Sequence, residues 1–469
     1  MPVPVISVAQ MREWEKVTWA SGQTEEAVMR RAGEAVARQA ERMTQSGERI
    51  LVLAGKGHNG DDARFAAEHI KDRQVEVVRV ADPDDIVSEI ARLTAAKPAL
   101  IIDGLFGIGL NRALALPWIR LIQRINATKI PVLAVDVPSG LSADSGEPLE
   151  EAVRAKVTLT LGAVKHGFLK SPAWPFVGKL EVASDIGLVP YPFETEVSMM
   201  AAEDFAGFPP PRPVDGHKGT FGHLAIIAGS AGYHGAAVLA ARGAQRAQPG
   251  LITLLTGEEV YGPIAQQLQS VMVRTWKEQI DLPESCTAVL AGPGLAAPDI
   301  PSQVREGVRR LWQESKLAVI VDASALGWLE PGPTAEALRV ITPHPGEAAR
   351  MLGVTTAEVQ ADRISALREL SSKFGSCHVV LKGHQTMVGR RREELFVNST
   401  GNPYLAQGGS GDLLAGFLGG LLAQPPLQQD ARTLRYAVWQ HGLAADSLLA
   451  RKANWTVEEL ADVLGTATP

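Results

Sequence analysis

The chain has 469 residues, more than one hydrophobic core usually organises, so two large domains are expected. Hydrophobic residues make up 45% and charged residues 21%, the profile of an ordinary globular protein, which excludes disordered and fibrous classes. The formal net charge is −6 and no Lys/Arg cluster is interleaved with aromatics, so nucleic acid is not an expected partner; Cys286 and Cys377 lack the spacing of a disulfide framework or a zinc site.

The opening run MPVPVISVAQMREWEK meets acidic residues too early for the apolar region of a signal peptide, and no apolar run approaches ~18 residues. No membrane partner and a cytoplasmic location are therefore expected. Val8 to Met43 carries apolar residues at helical spacing and predicts one or two helices. Short β-branched runs follow at 50–55, 75–80, 99–107, 130–140 and 156–162, each ending in Gly, Asp or Pro and several separated by helix-length amphipathic stretches. Around 189–213 the pattern lapses into VPYPFETE and FPPPRP, where prolines lack backbone donors, which predicts a linker. A second series runs through 223–229, 251–257, 287–294, 317–324, 339–347 and 378–383 and closes with GGSGDLLAGFLGGLLA. The fold class is α/β, with two three-layer αβα domains at 1–200 and 201–469 and ligands at the strand C-termini.

In the first half, Gly55-Lys56-Gly57-His58-Asn59-Gly60-Asp61-Asp62 joins a strand to a helix-like stretch, a turn suited to an anion. Such turns are common, so the companions VAQMREWE, VMRRAGEAVA, IIDGLFGIGL, AVDVPSGL and TLGAVKHGFL matter more. In this order they resemble the NAD(P)H-hydrate epimerase family over roughly residues 8–190. The resemblance implies a Rossmann-like fold and a potassium ion held by Asn59, Asp103 and Ser139. It also implies substrate contacts from His58, Asn59, Gly60, Asp61 and Asp62, from Gly107, Ile108, Gly109, Leu110, Asn111, Arg112 and Ala113, and from Asp136. Epimerisation at the hydrated carbon needs transient ring opening, or removal and return of a group, and a carboxylate with an amine could manage the protons. Asp136 and Lys165 are the catalytic candidates; the plainer readings are a turn-stabilising Asp before Pro138 and a surface lysine. The family has a doubled asparagine, a doubled glycine and then Asp-Gly, whereas this chain has His58 for the first asparagine, Asp61 for the second glycine and Ala63 for the last. A lost glycine matters where the backbone needs positive φ, and Asp61 adds negative charge beside an anion site.

In the second half, Gly408-Gly409-Ser410-Gly411-Asp412 precedes an apolar helix, offering free N–H groups for an anion and a carboxylate able to take a proton from a hydroxyl. The plainer reading makes Asp412 a helix cap. Together with HKGTFG, GSAGYHGAAVLAARGA, GPGL, TPHPGE, LKGHQT and HGLAAD, this segment resembles the ADP-dependent NAD(P)H-hydrate dehydratase family, a ribokinase-like fold, over about 204–464. By that resemblance Asp412 is the essential aspartate beside the substrate. Lys382, Gly383, His384, Gln385, Thr386 and Gly411 form the nucleotide site, and Ala236, Gly294 and His344 line the hydrate. Outside it, His344 beside two prolines is equally a backbone-bonding imidazole and Lys382 a solvated strand end. The implied co-substrate is ADP, or ATP, with magnesium; the implied partners are hydrated NADH and NADPH, and a homo-oligomer is expected. Phosphoryl transfer would turn the added hydroxyl into a leaving group, and loss of phosphate would restore the double bond. Two alternatives stay open: a ribokinase-like small-molecule kinase whose product keeps its phosphate, and a first half that binds a nucleotide without catalysis.

Overall fold

The computed structural model describes residues 2–276 and 279–467, which fold as two units, Val3–Thr195 and residues 196–467 with Pro2. The division falls between Thr195 and Glu196, a little before the expected 200.

In the first unit six parallel strands lie in the order Gln74–Arg79, Arg49–Ala54, Leu100–Gly104, Val132–Val135, Val157–Leu161 and Lys179–Ala183. From Arg49–Ala54 the chain runs out to the edge strand Gln74–Arg79 and then returns to the other side as Leu100–Gly104. The reversal creates a switch point between those two inner strands, and a ligand cleft belongs beyond their C-termini. Strand residues alternate between two apolar layers. Ile50 and Val52 pack with Val28, Ala32, Val36 and Ala40 of the helix Glu25–Met43, whereas Leu51 and Leu53 pack with Ile90, Leu93, Leu121 and Ile122 from the opposite face. Burial on both sides is why these strands read as continuous apolar runs, and each such side chain contributes about 1.5–3 kcal/mol.

The expected helical region at 8–43 is two helices, Val8–Ala20 and Glu25–Met43, the first opened by a capping box between Ser7 and Gln10. Three strands of this unit escaped the sequence pattern, Lys179–Ala183 at the sheet edge and the short pair Val3–Ile6 and Val164–Lys165. Val3–Ile6 pairs in parallel with Val164–Lys165, and that pairing fixes the position of Lys165.

The second unit continues the parallel motif in the order Met272–Thr275, Leu251–Thr256, His223–Ile227, Ala288–Ala291, Ala318–Val321, Arg339–Ile341 and His378–Leu381. Met387–Gly389 and Leu395–Val397 add an antiparallel hairpin. The stretch expected to be a linker is not wholly irregular: Val197–Met199 pairs in parallel with Leu395–Val397. Three residues are too few to show alternation, so only the hairpin edge makes them a strand. The apolar helix Ser410–Leu422 packs backbone to backbone on His234–Ala247; a Cβ on Gly416 would lie 1.8 Å from the Ala240 carbonyl oxygen.

Candidate active sites

At the switch point of the first unit the helix His58–His69 starts directly after the turn at Gly55–Gly57. Gly60 is pressed against that turn, since a Cβ there would sit 2.1 Å from the Gly55 carbonyl oxygen. Asn59 Nδ2 donates to the Phe106 carbonyl at 2.8 Å. Asp103, fully buried at the end of Leu100–Gly104, accepts from Ser139 Oγ at 2.6 Å, from Ser139 N at 2.9 Å and from Leu105 N at 3.2 Å. Phe106 N in turn donates to Ser139 Oγ at 2.9 Å. Asn59, Asp103 and Ser139 thus meet around one loop residue. Burial pushes the Asp103 carboxyl up to about 6, against the hydrogen bonds that lower it. An amide, a carboxylate, a hydroxyl and the Phe106 carbonyl make an all-oxygen set with one charge, which fits a large monovalent cation and relieves the buried carboxylate.

Asp136, after the strand Val132–Val135, has φ +59°, a left-handed conformation uncommon for a residue with a Cβ. Its Oδ1 accepts from Lys165 Nζ at 2.5 Å, Leu161 N at 2.9 Å and Thr160 Oγ1 at 3.1 Å. Lys165 is not a surface charge: its side chain has no exposure, and Nζ also donates to Thr160 Oγ1 at 2.9 Å and to the Leu161 and Ala163 carbonyls at 3.0 Å. Nor is Asp136 merely a turn residue, because its carboxylate pairs with an ammonium held by another strand. Asp62 is also buried, and its Oδ1 has no hydrogen-bond partner. Burial first, then the charges of Asp136 and Glu15, raise its pKa well above the usual carboxylate range.

Glu15 was not singled out by the sequence. It lies at helical spacing from Met11 and Trp14, which pack with Ala163 next to the lysine strand. Burial and Asp136 raise its carboxyl while Lys165 opposes. The Met11, Trp14, Glu15 spacing inside VAQMREWE was the available signal.

The departures from the family turn are absorbed locally. Positions 61 and 63 are helical, so no positive φ is lost. Asp61 contacts Arg64 in the first turn, where a carboxylate also suits the helix dipole. Ala63 is fully buried against Gly104, whose own Cβ would lie 2.5 Å from Ala63 Cβ. His58 is exposed, with Nε2 3.1 Å from Glu25 Oε1. In the 107–113 loop, Gly107 lies against Asn59, Ile108 packs with the Met11 and Trp14 cluster, and Leu110 N donates to the Gly107 carbonyl at 3.2 Å. Gly109, Asn111, Arg112 and Ala113 are exposed.

In the second unit the strand C-termini carry a different arrangement. Asp412 stands in the first turn of Ser410–Leu422, whose N-cap is Gly409 at φ +94° with no side-chain cap bond, so Asp412 is not the cap. Burial first, then Asp322 and Glu347, push its carboxyl up to about 7 while Lys382 opposes. Lys382 follows the strand His378–Leu381, and its Nζ lies 2.6 Å from Asp322 Oδ1. Asp322 is 1% exposed and also accepts from Thr342 Oγ1 at 2.7 Å, whereas the Lys382 side chain keeps 16% exposure. Burial works against the ammonium, but Asp322, Glu347 and Asp412 outweigh it and raise its pKa. A Cβ on Gly411 would lie 3.4 Å from Lys382 Nζ, so the cation stands beside the helix N-terminus.

The turn after Lys382 has Gly383 at φ +127° and Gln385 at φ +52°, and Thr386 Oγ1 donates to the Gly383 carbonyl at 3.0 Å. Buried Arg363 braces it by donating to the carbonyls of Leu381 at 3.0 Å, Lys382 at 3.3 Å and His384. Burial lowers the His384 pKa. His344 caps the helix Pro345–Leu352 through Nδ1, accepting from Gly346 N at 3.0 Å and Glu347 N at 3.2 Å, while Glu347 accepts from His344 N at 2.8 Å. The backbone-bonding reading of His344 therefore holds at Nδ1, and the ring remains half exposed. Gly294 and Ala236 adjoin, a Cβ on Gly294 falling 3.1 Å from Ala236 Cβ. Asp322 and Arg363 were missed by the sequence; Asp322 ends LAVIVD as Asp103 ends LIID, and Arg363 carries no local signal. Among the described residues no group of three or more His, Cys, Asp or Glu side chains has metal-binding geometry, and no helix is long and apolar enough to cross a membrane.

Comparison with known proteins places both halves. A family model described as NAD(P)H-hydrate dehydratase matches residues 224–465, and one described as YjeF-related protein N-terminus matches 25–96 and 82–167. A bifunctional NAD(P)H-hydrate repair enzyme of Coxiella burnetii is 34% identical over 463 residues, 93% of each chain. One from Gloeobacter violaceus is 36% identical over 497 residues, 95% of this chain and 94% of its own. Among solved structures, the ADP/ATP-dependent NAD(P)H-hydrate dehydratase of Bacillus subtilis, co-crystallised with ATP and Mg2+, is 32% identical with a TM-score of 0.53, covering 58% of this chain and 97% of that one.

Proposed function

We propose a division of labour for this chain, which belongs to the bifunctional NAD(P)H-hydrate repair enzymes: residues 196–467 dehydrate one epimer of hydrated NADH or NADPH, and Val3–Thr195 interconverts the two epimers. The observation that carries the dehydratase half is Asp412, a carboxylate pushed up to about 7 in the first turn of a helix whose Gly411 lies beside Lys382 Nζ. A base of that strength near neutral pH can take the proton of the added hydroxyl as its oxygen attacks a phosphoryl group. Bound ADP or ATP with magnesium supplies that phosphoryl group and balances its charge. Lys382, the free N–H groups around Gly411 and the turn Gly383–Thr386 hold the nucleotide, Asp322 holds Lys382, and Ala236, Gly294 and His344 line the hydrate.

In the first unit Asn59, Asp103 and Ser139 hold potassium and the 58–62 and 107–113 segments contact the substrate. Asp136 moves protons, and Lys165, without exposure, acts through Asp136 by fixing its Oδ1. The protein works in the cytoplasm as a homo-oligomer. Full-length protein given racemic hydrated NADH with ADP, magnesium and potassium should recover the reduced-nicotinamide absorbance almost completely and release free phosphate. Phosphate retained on an organic product would point to a kinase instead. Recovery that stops when one epimer is spent would leave the first unit as a binding module.

A further inference from the structure

The first unit's site holds more acid than its proposed mechanism uses. Asp136 already has three donors on Oδ1. Asp62, by contrast, is 6% exposed and its Oδ1 is both buried and unpartnered. It projects from the helix His58–His69 at the switch point, three residues beyond Asn59. The charged groups acting on it are Asp136 and Glu15, both negative; Glu15 in turn is acted on by Asp136, Lys165, His58 and Glu25. A carboxylate ion in that position would be desolvated, unbonded at Oδ1 and repelled by Asp136 and Glu15, whereas the acid form carries no charge and can donate through its O–H.

We propose that Asp62 is the proton-donating partner of Asp136 in epimerisation, a catalytic acid working with a base whose Oδ1 Lys165 holds. The proposal rests on the epimerase reading of the first unit. Two carboxyl groups whose surroundings favour opposite protonation states divide the roles of acid and base. Water adds to an enamine at the carbon next to nitrogen, so the hydrated carbon bears both the new hydroxyl and the ring nitrogen. Asp136 takes the hydroxyl proton, the carbon–nitrogen bond breaks with its electron pair going to nitrogen, and Asp62 delivers its proton there. The resulting aldehyde turns its other face to the nitrogen. On closure the nitrogen returns its proton to Asp62 and Asp136 returns its own to the oxygen. One bond breaks and re-forms, no co-reactant is consumed, and both carboxyl groups end as they began.

The test uses full-length protein without nucleotide, so that dehydration is idle, and follows exchange between the epimers by NMR from a sample enriched in one of them. Wild type should exchange them with a rate that falls on the alkaline side as Asp62 loses its proton. Asp62→Asn, which keeps the shape and the neutral charge, should fold, leave the second unit's dehydration unchanged, lose about 100-fold or more of the exchange rate at saturating substrate, and lose the alkaline limb. Asp62→Glu should recover part of the rate and the limb. An Asp62→Asn rate within a few-fold of wild type, or a change in KM alone, overturns the acid role while leaving the epimerase reading intact. Wild type that leaves the epimers unmixed overturns both.

Discussion

The two sites are built around the same pair turned in opposite directions. In the first unit Lys165 is buried completely and the aspartate it holds, Asp136, carries the residual exposure. In the second it is the aspartate, Asp322, that is buried, and the lysine, Lys382, that keeps exposure. The ion pairs are 2.5 and 2.6 Å long. A buried charge costs several kcal/mol unless paired, so each pair pins one member in order to present the other. On the proposed reading, one site thereby offers a carboxylate for proton transfer and the other an ammonium for phosphate. The two pairs differ in which partner shows outward.

The sharpest way to break this comparison is at the base. Asp412→Asn should lower dehydration by about 100-fold or more with nucleotide affinity kept, measured by turnover and by nucleotide titration. Near-normal turnover would remove Asp412 as the base. Next come the lysines. Lys165→Met removes the counter-charge from buried Asp136 and strands the Leu161 and Ala163 carbonyls, so denaturant unfolding of the first unit should lose about 3–5 kcal/mol and epimer exchange should vanish. Lys382→Met also strips a buried aspartate, but its distinguishing effect should be nucleotide binding weakened by about tenfold or more, the worth of a charge-assisted hydrogen bond. Loss of nucleotide affinity in the Lys165 variant instead would invert the comparison.

A smaller effect is a pH signature. Asp412 has a folded pKa of about 7 against an ordinary 3.8, so between those values the folded chain keeps a proton the unfolded chain has released. Its contribution to stability is therefore largest below that window and is lost as pH rises through about 7. Dehydration should rise over the same step as the base ionises, and Asp412→Asn should be more stable than wild type on the alkaline side but not below the window. Parallel melting curves and rate profiles check both signs. Smallest in structural consequence, replacing potassium with a bulky organic cation should slow epimer exchange and leave dehydration untouched. An unchanged exchange rate would remove the ion from Asn59, Asp103 and Ser139.

The sequence by itself determined the α/β class, the major strands and the motifs at their C-terminal ends, because those follow from local physics. Alternating apolar residues such as Ile50, Leu51, Val52 and Leu53 reveal a sheet covered on both faces, and a glycine turn before a helix marks an anion site. It also carried the ordered motifs that relate each half to its family. The tertiary structure alone decided which charges meet. Asp322 and Lys382 stand 60 residues apart and Asp136 and Lys165 29 apart, and no periodicity links them. Glu15 joins Asp62 and Asp136 only because Met11 and Trp14 seat their helix beside Ala163. Short strands such as Val3–Ile6 and Val164–Lys165 acquire their conformation from each other, since neither spans enough residues to display a pattern. The altered turn at His58, Asp61 and Ala63 looked costly in one dimension, yet a helical backbone, Arg64 and Gly104 accommodate it in three. Burial turns each of these side chains from a residue type into an acid, a base or a counter-ion, and burial is a property of the packed chain.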